Sequence, residues 1–330
     1  FSKLVPGFIP GQIVRSGGSG IFHYFRTDSV AEKQTAEGRQ YMKEDIAMGN
    51  WIRSHMLLFF LGIFALLICY PILFLFGASL MGNPEIGQVL GAILGERTGF
   101  VRLVLIPLYP TLRSYVEILL DTPEFFIMFW NSVKITGGIL LGQLLVGVPA
   151  AWAFARYRFP CHNLLFTLYM VLMLMPFQVT MLSNYLVLNG MGLMDTQLSI
   201  ILPGIFSTFP VFLLYRFFSS IPVEILESAR IDGAGELQIF LQFGLPLGSA
   251  GIISQAVLGF LEYWNLVEQP LTFLKDQRLW PLSLFLPDIT LANAGMAVTA
   301  SVITLLPALL VFLAGQNYLE QGIAASGLKG

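Results

Sequence analysis

Long apolar runs without a single charge are the feature that most constrains this chain. Residues 56–84 and 163–194 contain no Asp, Glu, Lys or Arg. About 20 consecutive apolar residues cross a bilayer as one helix, and a lipid-exposed backbone must satisfy its own polar groups, as a helix does. Six spans are predicted, near 57–78, 126–154, 164–187, 198–216, 249–267 and 292–315. The sequence therefore predicts an all-α polytopic membrane protein with six transmembrane helices.

The composition excludes a soluble protein of the usual type. Of 330 residues, 55% are hydrophobic and only 12% are charged, against about 25% charged residues in ordinary globular domains. The net charge of −2 gives no reason to expect a nucleic acid partner. The two cysteines, Cys69 and Cys161, are too few for a disulfide framework or a cysteine-based metal site. We expect neither a metal nor nucleic acid.

Two further polar features lie beside the predicted spans. Residues 91–108 are apolar enough to suggest another span, but Glu96, Arg97 and Arg102 lie near their centre. An intramembrane Arg costs about 2.5–3.5 kcal/mol, so we expect an external loop with an interfacial or lid-like helix. Lys134, near the external end of the second span, either extends to the interface or marks a functional position.

The positions of Lys and Arg orient the chain. With the N-terminus inside, one side carries Arg39, Lys43, Arg53, Arg156, Arg158, Arg216, Arg230 and Lys329, and the other carries Arg97, Arg102, Arg113, Lys275 and Arg278. The first set belongs in the cytoplasm. This predicts a cytoplasmic tail over 1–55, a first helix with an external loop over 56–124, a five-helix core over 125–315, and a cytoplasmic tail over 316–330.

One stretch between uncharged segments, 221–247, mixes charge with apolar residues at helical spacing. Ile225, Leu226 and Ala229 share one face of a helix that Pro222 can begin, and acidic residues occupy the other face. Gly233 can end this helix in a left-handed conformation. We expect a second helix over 236–243, closed by Gly244 and Pro246. The stretch is either a connector at the membrane surface or a docking element.

Several kinds of chemistry are missing from the sequence. There is no G-x-x-x-x-G-K-[ST] loop to hold ATP, and no H-E-x-x-H or G-x-S-x-G motif. Acidic residues inside the spans are almost absent, with Glu262 near an end, although ion-coupled carriers usually need them. A polytopic membrane enzyme and an ion-coupled secondary carrier are both poorly supported. If the chain pumps, another subunit must hydrolyse ATP.

The 221–247 stretch resembles the EAA loop of ATP-binding-cassette (ABC) importer permeases of the carbohydrate family. The residues at the positions of the family pattern are Glu227, Ser228, Ala229, Gly233, Leu245 and Pro246, with Asp232-Gly233-Ala234 as in sugar permeases. Ser228 and Phe243 depart from the pattern, where the family has Ala and Ile. Further similarity lies in Asn131-Ser132, AWAFARYRFP at 151–160, Pro222 with Glu224, Trp264-Asn265 with Pro270-Leu271, and the C-terminal 316–330. The chain resembles the six-span permease of the maltose-type importer.

This resemblance implies a type I ABC importer permease fold in a bacterial plasma (inner) membrane. It implies a cytoplasmic coupling loop at 219–248 in which Glu224, Glu227, Ser228, Ala229, Asp232 and Gly233 contact an ATPase. Ala229 and Gly233 would be small so that the helix packs closely against its neighbours. The implied partners are a second permease, two ABC ATPase subunits that hold ATP and Mg, and an external solute-binding protein, which 79–124 and 267–290 could receive. No cofactor is expected in this chain.

The substrate path has four candidate residues. Aromatic rings stack on sugars and amides bond hydroxyl groups, which singles out Gln178, Asn184, Trp264 and Asn265 for a sugar or oligosaccharide. Helix packing with satisfied polar groups is the alternative for each of them. A permease for another solute, such as a glycerol-phosphate ester, differs only in its cargo and stays open.

Overall fold

The computed structural model describes residues 24–91, 104–285, 290 and 293–327. Within these ranges the chain is helical, with short turns and no strand, so the predicted all-α class is confirmed. The chain divides into two compact units, Phe1–Tyr70 and Pro71–Gly330. The helical segment expected within 91–108 lies largely outside the described residues.

Most of the helices follow one another along the chain with short connections. In chain order they are α1 Tyr24–Ser79, α2 Asn83–Leu90, α3 Arg113–Asp121, α4 Pro123–Gly142, α5 Val148–Arg156, α6 His162–Met173, α7 Phe177–Gly190, α8 Leu198–Ile205, α9 Thr208–Ser220, α10 Val223–Ile231, α11 Glu236–Ile239, α12 Leu245–Leu247, α13 Ser249–Trp264, α14 Glu268–Phe273 and α15 Ala294–Gly327. Wide π-helical turns occupy Gln143–Gly147 and Phe240–Gly244, and 3₁₀ turns occupy Gln277–Leu279 and Leu282–Leu284.

Among the described residues, four helical segments are long and apolar enough to cross a membrane. They are Arg53–Ser79, Pro123–Arg156, Leu198–Ser220 and Ala294–Glu320. Two bent pairs also qualify, α6 with α7 at 107° and Glu236–Leu247 with α13 at 67°. If each bent pair is one span, the candidate spans number up to six in the part of the chain that the structure describes, and the fifth of them begins at Glu236, before the predicted start near 249. Within the first unit, the apolar side chains from 56 to 68 are exposed, as a lipid-facing surface requires.

Two prolines, Pro176 and Pro246, affect the helices differently, since a bend lies at the first and the helix continues through the second. Pro176 lies inside the predicted span 164–187, where a proline predicts a kink. The kink is confirmed, because α6 ends at Met173 and Pro176 caps α7 in an extended conformation. The predicted helix end at Gly244 and Pro246 is wrong, because the helix continues to Leu247. Proline clashes with the carbonyl four residues earlier, and here a wide π-helical turn directly precedes it. The same arrangement precedes Pro149.

Small residues let α4 approach α8 closely. Gly138 and Gly142 are four residues apart, a spacing that predicts a helix face open to close approach. A Cβ built on Gly142 would lie 2.3 Å from Cγ1 of Ile205, and one on Gly138 would lie 3.2 Å from Cδ1 of Ile201. Beside this contact, the Gln143 amide donates to the Gly204 carbonyl at 2.7 Å. The two helices are therefore fixed by both packing and a buried hydrogen bond.

The Asn131-Ser132 pair fixes the segment 278–282 to α4. The Asn131 side-chain amide donates to the carbonyl oxygens of Arg278 and Trp280, at 2.7 and 3.0 Å. The Ser132 hydroxyl accepts from the Leu282 backbone N–H at 2.7 Å. Both side chains are buried. The pair therefore holds residues 278–282 against α4.

Candidate coupling site

The helix α10 forms as the sequence predicts, and its end shows why Gly233 is needed. Pro222 caps the helix in an extended conformation, and Glu224 lies in the first turn, where the helix dipole favours an acid. At the other end, the backbone N–H of Gly233 donates to the Arg230 carbonyl, and the backbone N–H of Ala234 donates to the Ala229 carbonyl, both at 3.0 Å. These two bonds form a Schellman motif. Gly233 has φ of +87°, so its left-handed conformation is confirmed.

The buried face of α10 packs on the protein's own helices. Leu226 and Ala229 belong to one apolar cluster with Trp152 of α5, Phe218 of α9 and Ile239 of α11. Ala229 is therefore small because the space beneath it is filled. Gly233 is different, because a Cβ there would meet no atom within 4 Å. Within this chain close packing therefore does not require glycine at 233, whereas its left-handed backbone does; packing of Gly233 against an ATPase groove stays a prediction.

The outer face of the loop carries both charge and apolar surface. Glu224, Glu227 and Asp232 are exposed, as predicted. Ser228 is also exposed, but its hydroxyl donates to the Glu224 carbonyl at 2.9 Å within the same helix. The helix ends in Ile231, whose side chain is 85% exposed. Sequence reasoning missed Ile231, although it lies outside the buried stripe of the helical pattern.

Hydrogen bonds to the Glu236 carboxylate stabilise the turn between α10 and α11. The Arg230 guanidinium donates from Nε to Oε1 of Glu236 at 2.8 Å and from Nη2 to Oε2 at 3.2 Å. The Tyr157 hydroxyl donates to the same Oε2 at 2.8 Å. The hydrogen bond to Glu236 raises the pKa of Arg230, and burial, followed by the Glu236 contact, raises the pKa of Tyr157. The sequence feature that could have indicated this contact is the pair of opposite charges, Arg230 and Glu236, on either side of a glycine-containing turn.

Arg156, the last residue of α5, lies beneath the same loop. Its Nη2 donates to the Ile221 carbonyl at 2.7 Å and also to the Phe218 carbonyl. The centre of the guanidinium lies 5.6 Å from the Trp152 ring centroid. The loop is thus attached by polar contacts at two points, at its start through Arg156, the last residue of α5, and at the turn between α10 and α11 through Tyr157, which follows α5.

The four substrate-path candidates lie in different surroundings. Trp264 is 2% exposed, and its indole N–H donates to the Thr304 carbonyl at 3.0 Å, so the ring is part of the core. Asn265 is exposed at the edge of a cleft of about 400 Å³. Gln178 donates to both carboxylate oxygens of Glu268 at 2.9 Å. Asn184 lines a separate, shallower pocket beside α8.

Comparison with known proteins places this arrangement in a family. The model of the family described as "binding-protein-dependent transport system inner membrane component" matches residues 143–325, more than half of the chain. The chain belongs to this family. Its members are the membrane-spanning permease subunits of ABC importers, and ATP hydrolysis lies in separate subunits. The matched region contains α5, α9, the loop 219–248 and α13.

Individual relatives agree with this family assignment. The arabinooligosaccharides transport system permease protein AraQ of Halalkalibacterium halodurans is 28% identical, over 81% of this chain and 93% of the relative. The sn-glycerol-3-phosphate transport system permease protein UgpE of Pectobacterium atrosepticum is 29% identical, over 62% and 75%. A solved bacterial ABC transporter involved in the import of the acidic polysaccharide alginate matches with a TM-score of 0.70 and 22% identity, over 81% of this chain and 96% of that chain. The permease therefore shares its fold with this transporter.

Proposed function

We propose that α10 is the coupling helix through which this permease receives the motion of an ABC ATPase. The observation that carries the proposal is that one face of α10 is buried and the opposite face is exposed. Leu226 and Ala229 are buried against the permease, while Glu227 and Ile231 are exposed to a partner. An amphipathic helix of this kind fits a groove of another protein. The acids would meet a basic or hydrogen-bonding rim, and Ile231 would enter an apolar pocket.

The proposed assembly follows from the family and the charge distribution. It contains a second permease, two ATPase subunits that hold ATP and Mg, and an external solute-binding protein. The tails 1–55 and 316–330 and the coupling loop 219–248 would be cytoplasmic. Arg156, Arg158 and Arg216 lie on the same side of the chain as the loop, and an excess of Lys and Arg favours the cytoplasm. The external face would include 79–124 and 267–290.

A sugar or oligosaccharide is the proposed cargo. The names of the AraQ relatives support this class, and so does the cleft beside Asn265. Among the described residues, its lining contains no charged side chain but includes the hydroxyls of Ser283, Ser301 and Thr304. Gln178 and Asn184 remain candidates along the path, and Trp264 would act there by supporting the helix. A glycerol-phosphate ester is the second candidate, because UgpE relatives match as well.

The coupling role is tested on the complex purified from its native membrane and reconstituted in vesicles. In the Glu227→Lys variant, a reversed charge on the exposed face should lower ATP-driven uptake at least about tenfold, as expected for a coupling free energy of 1–3 kcal/mol. Glu320→Lys is the matched control, because it reverses the charge of an exposed carboxylate that lies outside the loop 219–248. Normal uptake by the Glu227 variant, or a complex that contains no ATPase, would refute the proposal.

The cargo is tested with the same complex and its solute-binding protein. Stimulation of ATP hydrolysis by a neutral oligosaccharide, with no response to sn-glycerol 3-phosphate, is the expected result. The opposite selectivity would support the phosphate ester. In that case, Lys134, which is exposed on α4, becomes the first cation to replace.

A further inference from the structure

The connection from the coupling helix into the membrane involves two helices, α5 and α9. The backbone connects α10 directly to α9, with only Ile221 and Pro222 between them. No such covalent connection joins α10 to α5, which lies more than sixty residues earlier in the chain. If α5 moves with the loop, side-chain contacts must carry that motion.

Arg156 provides a contact of this kind at the point where α9 becomes the loop. It is the last residue of α5, and its Nη2 donates to two carbonyls at the end of α9, those of Phe218 and Ile221. The last carbonyls of a helix lack partners within that helix, and the negative end of its dipole attracts a cation. One guanidinium therefore bonds the end of α9 to the end of α5.

Aromatic packing holds this guanidinium in place. Trp152, one turn earlier on α5, is 4% exposed and lies within cation–π distance of Arg156. The Trp152 ring meets Phe218 of α9 at a centroid distance of 5.3 Å and Phe240 of the π-helical turn at 5.6 Å. A Cβ on Gly244 would lie only 2.8 Å from Trp152. Both ends of the loop therefore close around one side chain of α5.

We propose that Arg156 is a positioning residue for energy coupling, which makes α5 move together with α9 when the ATPase displaces α10. This inference rests on the proposed function of α10. Without the bonds from Arg156, the loop would move α9 while α5 lags behind, because packed helices slide past one another more easily than hydrogen-bonded ones. ATP would still be hydrolysed, but less solute would be moved for each ATP.

The chain offers a matched control two residues away. Arg158 has the same charge and lies in the same turn, but it is exposed and has no hydrogen bond or ion pair among the described residues. Arg156→Lys is the conservative variant, because it keeps the charge but loses the planar group that donates to both carbonyls while stacking on Trp152. Arg156→Gln removes the charge as well.

The test measures uptake and ATP hydrolysis in parallel on the reconstituted complex with its solute-binding protein. We expect Arg156→Gln to assemble with the ATPase and to lower the amount of solute moved per ATP about tenfold, within the usual 5–150-fold range of coupling between sites. Arg156→Lys should give an intermediate ratio, and Arg158→Gln should equal the unaltered protein. A purely structural role would reduce both activities in proportion to the assembled complex and leave the ratio unchanged.

Each result decides the question. An unchanged ratio in both Arg156 variants overturns the inference, and so does failure of both variants to accumulate, because Arg156 would then serve folding alone. If the unaltered chain does not purify with an ATPase, the coupling function of α10 fails instead. A normal ratio in Arg156→Gln together with uncoupling in Glu227→Lys would keep that function and reject Arg156.

Discussion

Gly233 ends α10 through its backbone conformation, and this makes the cost of replacing it calculable. Its φ is +87°, and nothing lies within 4 Å of the position that a Cβ would occupy. In Gly233→Ala the only penalty is therefore the left-handed backbone, about 1–2 kcal/mol for an L-residue. Because 1.4 kcal/mol is a factor of ten, the terminal turn of α10 should open about 5 to 30 times more often.

Hydrogen exchange at the Gly233 and Ala234 amides reports this opening, because both donate into the last turn of α10. Gly235→Ala is the control, since Gly235 also has free space around its Cβ position but a φ of −72°. Exchange should accelerate in Gly233→Ala and stay unchanged or slow slightly in Gly235→Ala, because alanine restricts the unfolded chain. Equal exchange in the two variants would refute the argument that conformation, and not space, selects glycine here.

Three further predictions concern packing, pH and charge. Gly142→Val should destabilise the protein by about 1–3 kcal/mol through overpacking against α8, whereas Gly137→Val, with free space around it, should cost much less in the same unfolding assay. The backbone N–H groups of Asp276 and Lys275 donate to the Asp195 carboxylate and lower its pKa. Protection of these two amides from hydrogen exchange should therefore be present above the ordinary aspartate pKa and be lost as the pH falls through the lowered pKa. Asp195→Asn should remove this pH dependence. In a double-mutant cycle of unfolding, the coupling free energy between the exposed Arg230 and Glu236 should be only about 0.2–1 kcal/mol. A larger coupling free energy would contradict the argument that solvent weakens this exposed pair.

Local patterns predicted the elements of this protein because each depends on residues that are close in sequence. The uncharged runs predicted the spans, Pro176 predicted the bend between α6 and α7, and Gly233 predicted the end of α10. The pattern also separated the buried Leu226 and Ala229 from the exposed Glu227. Periodicity alone can distinguish these faces, because one side of a helix recurs every three or four residues.

Contacts between distant residues were decided only by the tertiary structure. Nothing in the sequence pairs Arg156 with the carbonyls of Phe218 and Ile221, or Tyr157 with Glu236, because these partners are brought together by the packing of α5 on α9. Trp264 illustrates the same limit. Its indole suggested a sugar-stacking surface, yet α13 and α15 enclose it, and its N–H is satisfied by a backbone carbonyl.

The sequence by itself therefore determined that the chain spans a membrane and presents an amphipathic loop between two spans, because hydrophobic length and helical period are local properties. The tertiary structure alone decided how that loop is attached. Backbone carbonyls at a helix end accept from whichever donor the packing brings near, and side-chain identity does not encode that choice. For this permease, the packing brings Arg156 of α5 to the end of α9.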